Sequence, residues 1–265
     1  MDQIQQSADQ LQLKLKRLRR FNIIMAFLHA AQGAAMLLLS SSFSLSVTSA
    51  FVRMDFESGK LQPYLQTVFE LPIGFLVACF LFLSAIAHAL ISFVPAISAW
   101  YNRNLLKGAN YARWVEYAFS SSVMMVVIAM LVGMYDGISL LFIFFLNAMM
   151  ILFGWMMELH NQTTPKTNWT AYIFGCIAGI VPWVGVGIYL FAAGEGDAKA
   201  PTFVYWIYFS IFLFFNSFAV NQVLQYKKVG KWQDYLYGER AYIILSLVAK
   251  SLLAWQVWAG TLRPV

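Results

Sequence analysis

Hydrophobic and polar residues are arranged along this chain in long blocks. Seven predominantly apolar runs, each about 20 residues long, are separated by shorter polar stretches. A helix of about 20 apolar residues can cross the hydrocarbon core of a bilayer, where its backbone groups must be hydrogen-bonded internally. The pattern therefore predicts an all-α bundle of seven transmembrane helices. The predicted spans are residues 21–43, 71–94, 114–134, 138–157, 171–193, 203–225 and 241–262.

The composition also indicates a membrane protein. Of the 265 residues, 60% are hydrophobic and only 11% are charged, whereas about a quarter of the residues of a soluble domain are charged. The formal net charge of +6 does not indicate a nucleic-acid partner, because the basic residues lie between the apolar runs. We therefore expect a multi-pass protein of the cell membrane whose surroundings are the lipid bilayer.

The first 20 residues differ from the rest of the chain. Residues 1–20 are polar and end in the basic sequence LKLKRLRR, and they contain neither an apolar core nor a small-residue cleavage site. This favours a cytoplasmic basic tail next to anionic headgroups over a cleaved signal peptide. Residues 21–265 form the second predicted unit, the seven-helix membrane domain.

The distribution of lysine and arginine predicts the orientation. With the N-terminus in the cytoplasm, thirteen basic residues fall on the cytoplasmic side and four on the outer side. Such an excess marks the cytoplasmic face, and seven spans then place the C-terminus outside. The thirteen are Lys14, Lys16, Arg17, Arg19, Arg20, Arg103, Lys107, Arg113, Lys166, Lys227, Lys228, Lys231 and Arg240, and the four are Arg53, Lys60, Lys199 and Arg263.

Two outer connections have informative sequences. The first, residues 44–70, begins with SLSVTSAFVRMDF, in which β-branched and aromatic residues partly alternate with polar ones. This alternation favours a short β-hairpin over the outer mouth of the bundle, and a coil is the alternative. Residues 194–201, GEGDAKAP, are rich in glycine, proline and charge, so they predict a loop.

Four ionisable residues inside the spans are candidates for function: His29, His88, Glu116 and Lys250. A charge within a membrane helix is costly and is therefore a functional hypothesis by default. The helical rise places all four in the cytoplasmic half of the bundle, where Glu116 and Lys250 could stabilise each other as an ion pair. The alternative is that Glu116 lies at the headgroup level beside Arg113.

Several segments resemble heliorhodopsins, and the resemblance runs from the first predicted span to the end. The segments begin at residues 113, 147, 174, 212, 225 and 238, and they read RWVEYAFSSSVMMV, NAMMILFGWMME, FGCIAGIVPWVGVGIY, FLFFNSFA, QYKKVGKWQDY and GERAYIILSLVAKSLLAWQ. The resemblance implies a seven-helix photoreceptor that binds all-trans retinal. It also implies that Lys250 forms the Schiff base, that Glu116 is the counterion, and that the N-terminus is cytoplasmic.

The resemblance implies further site residues. Ser121 and Ser246 match positions that hydrogen-bond near the Schiff base, and His29 and His88 match histidines of a proton-accepting polar cavity. From the residues alone, a neutral hydrogen bond between helices explains each histidine equally well. Candidates for the retinal pocket are Tyr117, Asn147, Met150, Phe215 and Trp255.

The route from these groups to the outer face is poor in polar residues. After Ser122 the third span continues VMMVVIAMLVGM, and after Ser251 the seventh span offers only Gln256 and Thr261. A pump needs polar groups or water leading to both faces. We therefore predict a light sensor that moves the Schiff-base proton internally without net ion transport. The alternative is a light-driven or light-gated transporter of protons or other ions.

An enzyme is not expected, because the sequence contains no HExxH motif and no cysteine/histidine ligand pair for a metal. A sensor needs a cytoplasmic signalling partner, and the resemblance implies a homodimer. Glu158 and Glu239 lie at the cytoplasmic ends of two spans, where a solvated charge is the ordinary interpretation.

Overall fold

A computed structural model of the protein describes residues 2–192 and 199–264. Within this part of the chain, seven helices are long and apolar enough to cross a membrane. The predicted seven-helix architecture is therefore confirmed. The seven are α1 (Asp2–Leu39), α2 (Ile73–Phe93), α4 (Tyr111–Leu131), α5 (Gly137–Asn161), α6 (Thr170–Ala192), α7 (Thr202–Tyr226) and α8 (Tyr235–Val257). A π-helical turn (Trp258–Leu262) continues α8, and a shorter helix, α3 (Pro95–Leu106), lies between α2 and α4. Of the predicted loop at residues 194–201, residues 194–198 lie outside the described residues.

Helix α3 is short and follows the second span; the hydrophobic pattern did not predict it. Val94 has an extended backbone, as is favoured for a residue before proline, and this ends α2. Pro95 then occupies the first turn of α3, where its missing N–H group leaves no helical hydrogen bond unmade. We call this side of the bundle the α3 end, and the opposite side the hairpin end.

Helix α1 is 38 residues long and includes both the basic tail and the first span. Its N-terminal part packs on other elements of the α3 end. Leu18 is 2% exposed and belongs to a cluster with Tyr101 of α3 and Leu236 of α8. The Nζ atom of Lys14 lies 2.7 Å from Oδ2 of Asp234. Lys14 and Leu18 therefore attach this part of α1 to the α3 end.

The first connection of the hairpin end is an antiparallel β-hairpin of β1 (Ser44–Asp55) and β2 (Lys60–Pro72). The predicted hairpin is confirmed, and it is longer than expected because β2 includes residues 71–72, which the apolar pattern assigned to the second span. Its base is attached to the start of α5, since the Thr48 backbone N–H donates to the carbonyl of Tyr135 at 2.9 Å. Val47 packs against Gly137.

Short polar side chains begin three of the spans. Asn110, Asp136 and Asp234 each accept a backbone N–H in the first turn of α4, α5 and α8. Asp136, which directly precedes the candidate span Gly137–Asn161, accepts hydrogen bonds from both the backbone N–H and the hydroxyl of Ser139, at 2.8 and 2.7 Å. These hydrogen bonds hold the pKa of the Asp136 carboxyl below its usual range.

The interior of the bundle has an apolar half and a polar half. The larger hydrophobic cluster fills the hairpin half and includes Met125, Ile128, Ile207 and Leu253, which are all 0% exposed. The buried charged residues lie on the α3 side of this cluster and are Arg113, Glu158, Glu239 and Lys250. The candidate site lies where the two halves meet.

Candidate functional site

Lys250 is buried near the middle of α8 and forms an ion pair with α4. Its Nζ atom lies 2.8 Å from Oε1 of Glu116 and 2.9 Å from Oγ of Ser246. Ser246 precedes Lys250 by one helical turn, so both side chains share a face of α8. Lys250 is 3% exposed, and the Glu116 side chain is 9% exposed. The carboxylate is therefore paired with Lys250 inside the bundle, and the alternative beside Arg113 does not describe this geometry.

Ser84 of α2 is a second partner of the carboxylate, and the sequence pattern did not predict it. Its hydroxyl is fully buried and donates to Oε1 of Glu116 at 2.7 Å. The same oxygen thus accepts hydrogen bonds from both Ser84 and Lys250. Ser84 lies one turn before His88, so a search for polar residues on the face of that histidine would have found it.

A cavity of about 400 Å³ adjoins Lys250 and is bordered by α4, α5, α6, α7 and α8. This volume lies within the range of small-molecule sites, which are typically apolar with a few polar groups. Most of the lining side chains are aromatic or aliphatic, and Lys250 is the one charged residue among those that line it. Tyr117, Met150 and Phe215, three of the predicted pocket residues, are part of this lining.

Ser121 and Asn147 form a neighbouring polar contact. Ser121 lines the cavity, but its hydroxyl donates to the carbonyl of Tyr117 at 2.7 Å and accepts from Nδ2 of Asn147 at 2.8 Å. Asn147 also donates to Ser122 and lies behind the lining, 1% exposed. The hydrogen bonds of Ser121 therefore connect α4 to α5 and do not reach the Lys250 pair.

The structure places Trp255 away from the cavity. Its indole is 39% exposed, and Nε1 donates to Oε1 of Gln32 on α1 at 3.2 Å. Five residues along a helix rotate the side-chain direction by about 140°, so position 255 faces away from the side of α8 that carries Lys250. The prediction of Trp255 as a pocket residue is corrected on this ground.

A family model described as Heliorhodopsin matches residues 18–262. The chain belongs to the heliorhodopsin family. No curated protein matches the chain. Membership of the family implies a retinal-binding, light-sensing rhodopsin of the membrane. The predicted family and the multi-pass membrane location are thus confirmed.

The cavity of this heliorhodopsin fits the retinal that membership implies. Retinal is an apolar polyene with one aldehyde group, and it needs an apolar chamber with a primary amine in its wall. Lys250 supplies that amine, and Glu116 beside it supplies an anion that can balance a positive charge on the same nitrogen. The rest of the lining is mainly apolar, as the hydrocarbon chain of retinal requires.

The two histidines of this heliorhodopsin lie together between α1 and α2. Their rings are stacked, with centroids 5.8 Å apart and planes 10° from parallel. Nδ1 of His88 lies 2.8 Å from Oδ1 of Asn22, whereas neither ring nitrogen of the fully buried His29 has a partner among the described residues. His88 and Glu116 both line a second cavity of about 40 Å³, which we call the small cavity. The histidines therefore lie on the Glu116 side of the pair.

A second ion cluster is buried at the α3 end of this heliorhodopsin. Arg113 binds Glu158 of α5 through Nη2 at 2.6 Å and Glu239 of α8 through Nη1. Its guanidinium lies between the rings of Trp114 and Tyr242, 4.4 and 4.0 Å from their centroids. Glu158 and Glu239 are 2% and 0% exposed, so the expectation of solvated end charges is wrong. The sequence feature that could have predicted this cluster is that Arg113, Glu158 and Glu239 lie at the same end of three different spans.

Proposed function

We propose that this protein senses light through retinal bound covalently at Lys250, with Glu116 as the counterion. The observation that carries the proposal is the buried ion pair, 2.8 Å long, in the wall of an apolar cavity. A lysine is rare in the middle of a membrane helix, because an ammonium group in the membrane interior is costly unless it is paired, and such residues usually have a function. When bound, all-trans retinal supplies a conjugated chain that absorbs visible light and isomerises.

The surrounding residues have separate roles in this proposal. The Lys250 nitrogen is the attachment point, and its neutral form is the nucleophile that attacks an aldehyde carbon. Glu116 accepts hydrogen bonds from this nitrogen and balances its positive charge. Ser84 fixes the carboxylate from α2, and Ser246 contacts the nitrogen from one turn earlier in α8.

We further propose that the proton of the Lys250 nitrogen moves only within the protein. Ser246 lacks an acidic group, so Glu116 is the carboxylate in contact with this nitrogen. Beyond Glu116, the small cavity adjoins His88, whose imidazole has ring nitrogens that can accept or donate a proton. On the hairpin side, α4 and α8 continue into the apolar cluster that includes the fully buried Met125, Ile128 and Leu253, which supports a closed route.

The membrane orientation and the output are also proposals. The α3 end carries most of the basic residues, which supports a cytoplasmic position for this end and an outer position for the hairpin. A signalling partner would then meet the α3 end. A homodimer remains an expectation from the family resemblance, as does the division into a tail of residues 1–20 and a membrane domain of residues 21–265.

Retinal binding is tested by adding all-trans retinal to the expressed protein and recording a visible spectrum. We expect a visible band that is lost in Lys250→Ala, because no amine then remains in the cavity wall. Lys227→Ala removes an exposed lysine and is the matched control, which should keep the band. Absence of a band in the wild-type protein, or its persistence in Lys250→Ala, would contradict the proposal.

The absence of pumping is tested by illuminating cells or vesicles that contain the retinal-bound protein. We expect no light-induced pH change of the medium that an uncoupler abolishes, and no steady photocurrent, because the described core of the hairpin half is mainly apolar. An uncoupler-sensitive pH change or a steady photocurrent would support the alternative, a light-driven or light-gated ion transporter.

A further inference from the structure

We propose that Glu239 holds a proton in the resting protein and is a second proton-binding site, separate from Glu116 and coupled to it through the small cavity. The presence of the proton is inferred from the ion cluster alone. The coupling to light rests on the proposed function.

The first argument is the charge of the cluster. Arg113 contributes one positive charge, while Glu158 and Glu239 would contribute two negative charges if both were ionised. The side chains are only 4%, 1% and 0% exposed, so an excess negative charge would be poorly solvated. Burying an uncompensated charge is among the most costly events in a protein interior. One bound proton makes the cluster neutral.

The hydrogen bonds of Glu158 indicate that it is the ionised carboxylate. Its Oε1 atom accepts from Nη2 of Arg113 at 2.6 Å and from the hydroxyl of Tyr235 at 3.1 Å. Its Oε2 atom accepts from the backbone N–H of Asn110 at 3.0 Å and from Nε1 of Trp114 at 2.6 Å. Four hydrogen bonds fill the acceptor capacity of a carboxylate, and they favour its charged form.

Glu239 has fewer donors and a place for a proton. It accepts from Nη1 of Arg113 and from Nδ2 of Asn110, the latter at 2.6 Å. The hydroxyl of Tyr235 also lies beside Glu239 but donates to Glu158, and Glu239 lines the small cavity. Tyr242 lines the same cavity, and its buried hydroxyl has no hydrogen-bond partner among the described residues. The geometry therefore assigns the proton to Glu239.

The small cavity connects Glu239 to the light-reactive pair. Its volume of about 40 Å³ exceeds the roughly 15 Å³ that one water molecule needs. Besides Glu239 and Arg113, the titratable groups that face it are His88 from α2, Tyr101 from α3, and Glu116 and Tyr117 from α4, together with Tyr242 from α8. Neutralising Glu116 in this poorly solvated region changes the electric field at Glu239.

Infrared spectra of the resting protein in the dark test the proton. A protonated carboxyl group has a C=O stretching band that shifts when water is replaced by heavy water. We expect this band in the wild-type protein and in Glu116→Gln, and we expect Glu239→Gln to lose it. Glu158→Gln should lose it as well, because a cluster of one guanidinium and one carboxylate is neutral without a proton. No band in the wild-type protein, loss in Glu116→Gln, or persistence in Glu239→Gln would overturn the proposal.

Aspartate variants keep the charge count and decide which carboxyl carries the proton. Glu239→Asp should retain the band at a shifted frequency, whereas Glu158→Asp should leave the frequency nearly unchanged. A shift confined to Glu158→Asp would overturn the assignment to Glu239. These variants also keep the test valid if a glutamine variant fails to fold, which a thermal melt would reveal.

The coupling is tested by light-minus-dark infrared spectra of the retinal-bound protein. We expect the Glu239 band to shift on illumination, and an unchanged band in a protein that completes its photoreaction would overturn the coupling. The visible spectrum reports retinal binding independently. If the protein lacks a visible band but shows the carboxyl band in the dark, the proposed function is contradicted and the proton on Glu239 is not.

Discussion

Oε1 of Glu116 accepts hydrogen bonds from two different helices, through Ser84 of α2 and Lys250 of α8. Arg113, which lies on α4 with Glu116, is paired with Glu158 and Glu239 instead. The charge at Lys250 therefore depends on Glu116 and not on a shared network of carboxylates. Because both groups are almost fully buried, solvent compensates little for the loss of either partner.

Replacing Glu116 by glutamine tests this dependence. We expect the visible band of retinal-bound Glu116→Gln to change wavelength and to be lost on mild alkalinisation that leaves the wild-type band intact. The reason is that the anion stabilising the positive charge at Lys250 is gone, and loss of one partner of a buried pair costs about 3–5 kcal/mol. An absorption titration measures both effects. Ser122→Ala is the control, because the Ser122 hydroxyl bonds to Ala118 and Asn147 and not to the Lys250–Glu116 pair. Identical titrations of Glu116→Gln and the wild-type protein would contradict the assignment.

Among individual residues, the buried charged groups could be predicted from the sequence, whereas the small polar side chains that bind them could not. Lys250 and Glu116 stand out because charge is rare in apolar runs, whereas Ser84 looks like any serine that bonds within its own helix. Trp255 was misplaced because it was chosen as an aromatic residue of the seventh span without regard to its helical phase. Glu239 was misread because a glutamate at the end of a span usually reaches water, and its burial depends on Arg113 of another helix.

At the scale of elements, hydropathy located the spans but not their ends. The β-hairpin was foreseen from alternation, but residues 71–72 are apolar enough to resemble the start of a helix. Helix α3 was missed because its 12 residues are too short and too polar to register as a span. Its existence depends on Pro95, which ends one helix and starts the next.

The start of α5 provides a test at this scale. Asp136→Ala should lower the free energy of unfolding by about 1 kcal/mol at neutral pH, because the helix loses its N-terminal acceptor. The pKa of Asp136 in the folded protein is lower than its ordinary value of 3.8. The charged carboxylate therefore contributes its full stabilisation above pH 3.8, and this contribution is lost as the pH falls through the lower pKa of the folded protein. Thermal unfolding at neutral and acidic pH measures the difference.

Asp136→Asn is the matched control for this prediction. Asparagine keeps an oxygen that can accept from Ser139, so it should retain most of the stability and lose the pH dependence. Equal destabilisation by alanine and asparagine, or a wild-type advantage that persists unchanged in acid, would refute the capping role of Asp136.

At the scale of the whole molecule, the arrangement of charge predicts which end faces the cytoplasm. Cysteine labelling tests this in a background without Cys79 and Cys176. Ser58→Cys lies in the hairpin turn, and Lys166→Cys lies in the α5–α6 connection of the α3 end; both positions are exposed. A membrane-impermeant maleimide should label the first in intact cells and the second only after permeabilisation. The reverse pattern would mean that the charge count had assigned the orientation wrongly.

The number of spans and the family followed from the order of residues along the chain, while the arrangement of the spans did not. The partners of Arg113 come from helices that are distant in sequence, α5 and α8, and no local pattern specifies that they meet. The same is true of the contact between Ser84 and Glu116. Such contacts depend on how helices rotate and pack, which hydropathy does not encode.

The length of α1 has a mechanical consequence. Its 38 residues make a rod of about 57 Å, nearly twice the roughly 30 Å of bilayer hydrocarbon. The protruding arm is fastened by Lys14 to Asp234, which begins the helix that carries Lys250. About half of this rod therefore exceeds what a bilayer span requires, and its Lys14 contact gives the first span a second point of attachment to the helix that carries Lys250.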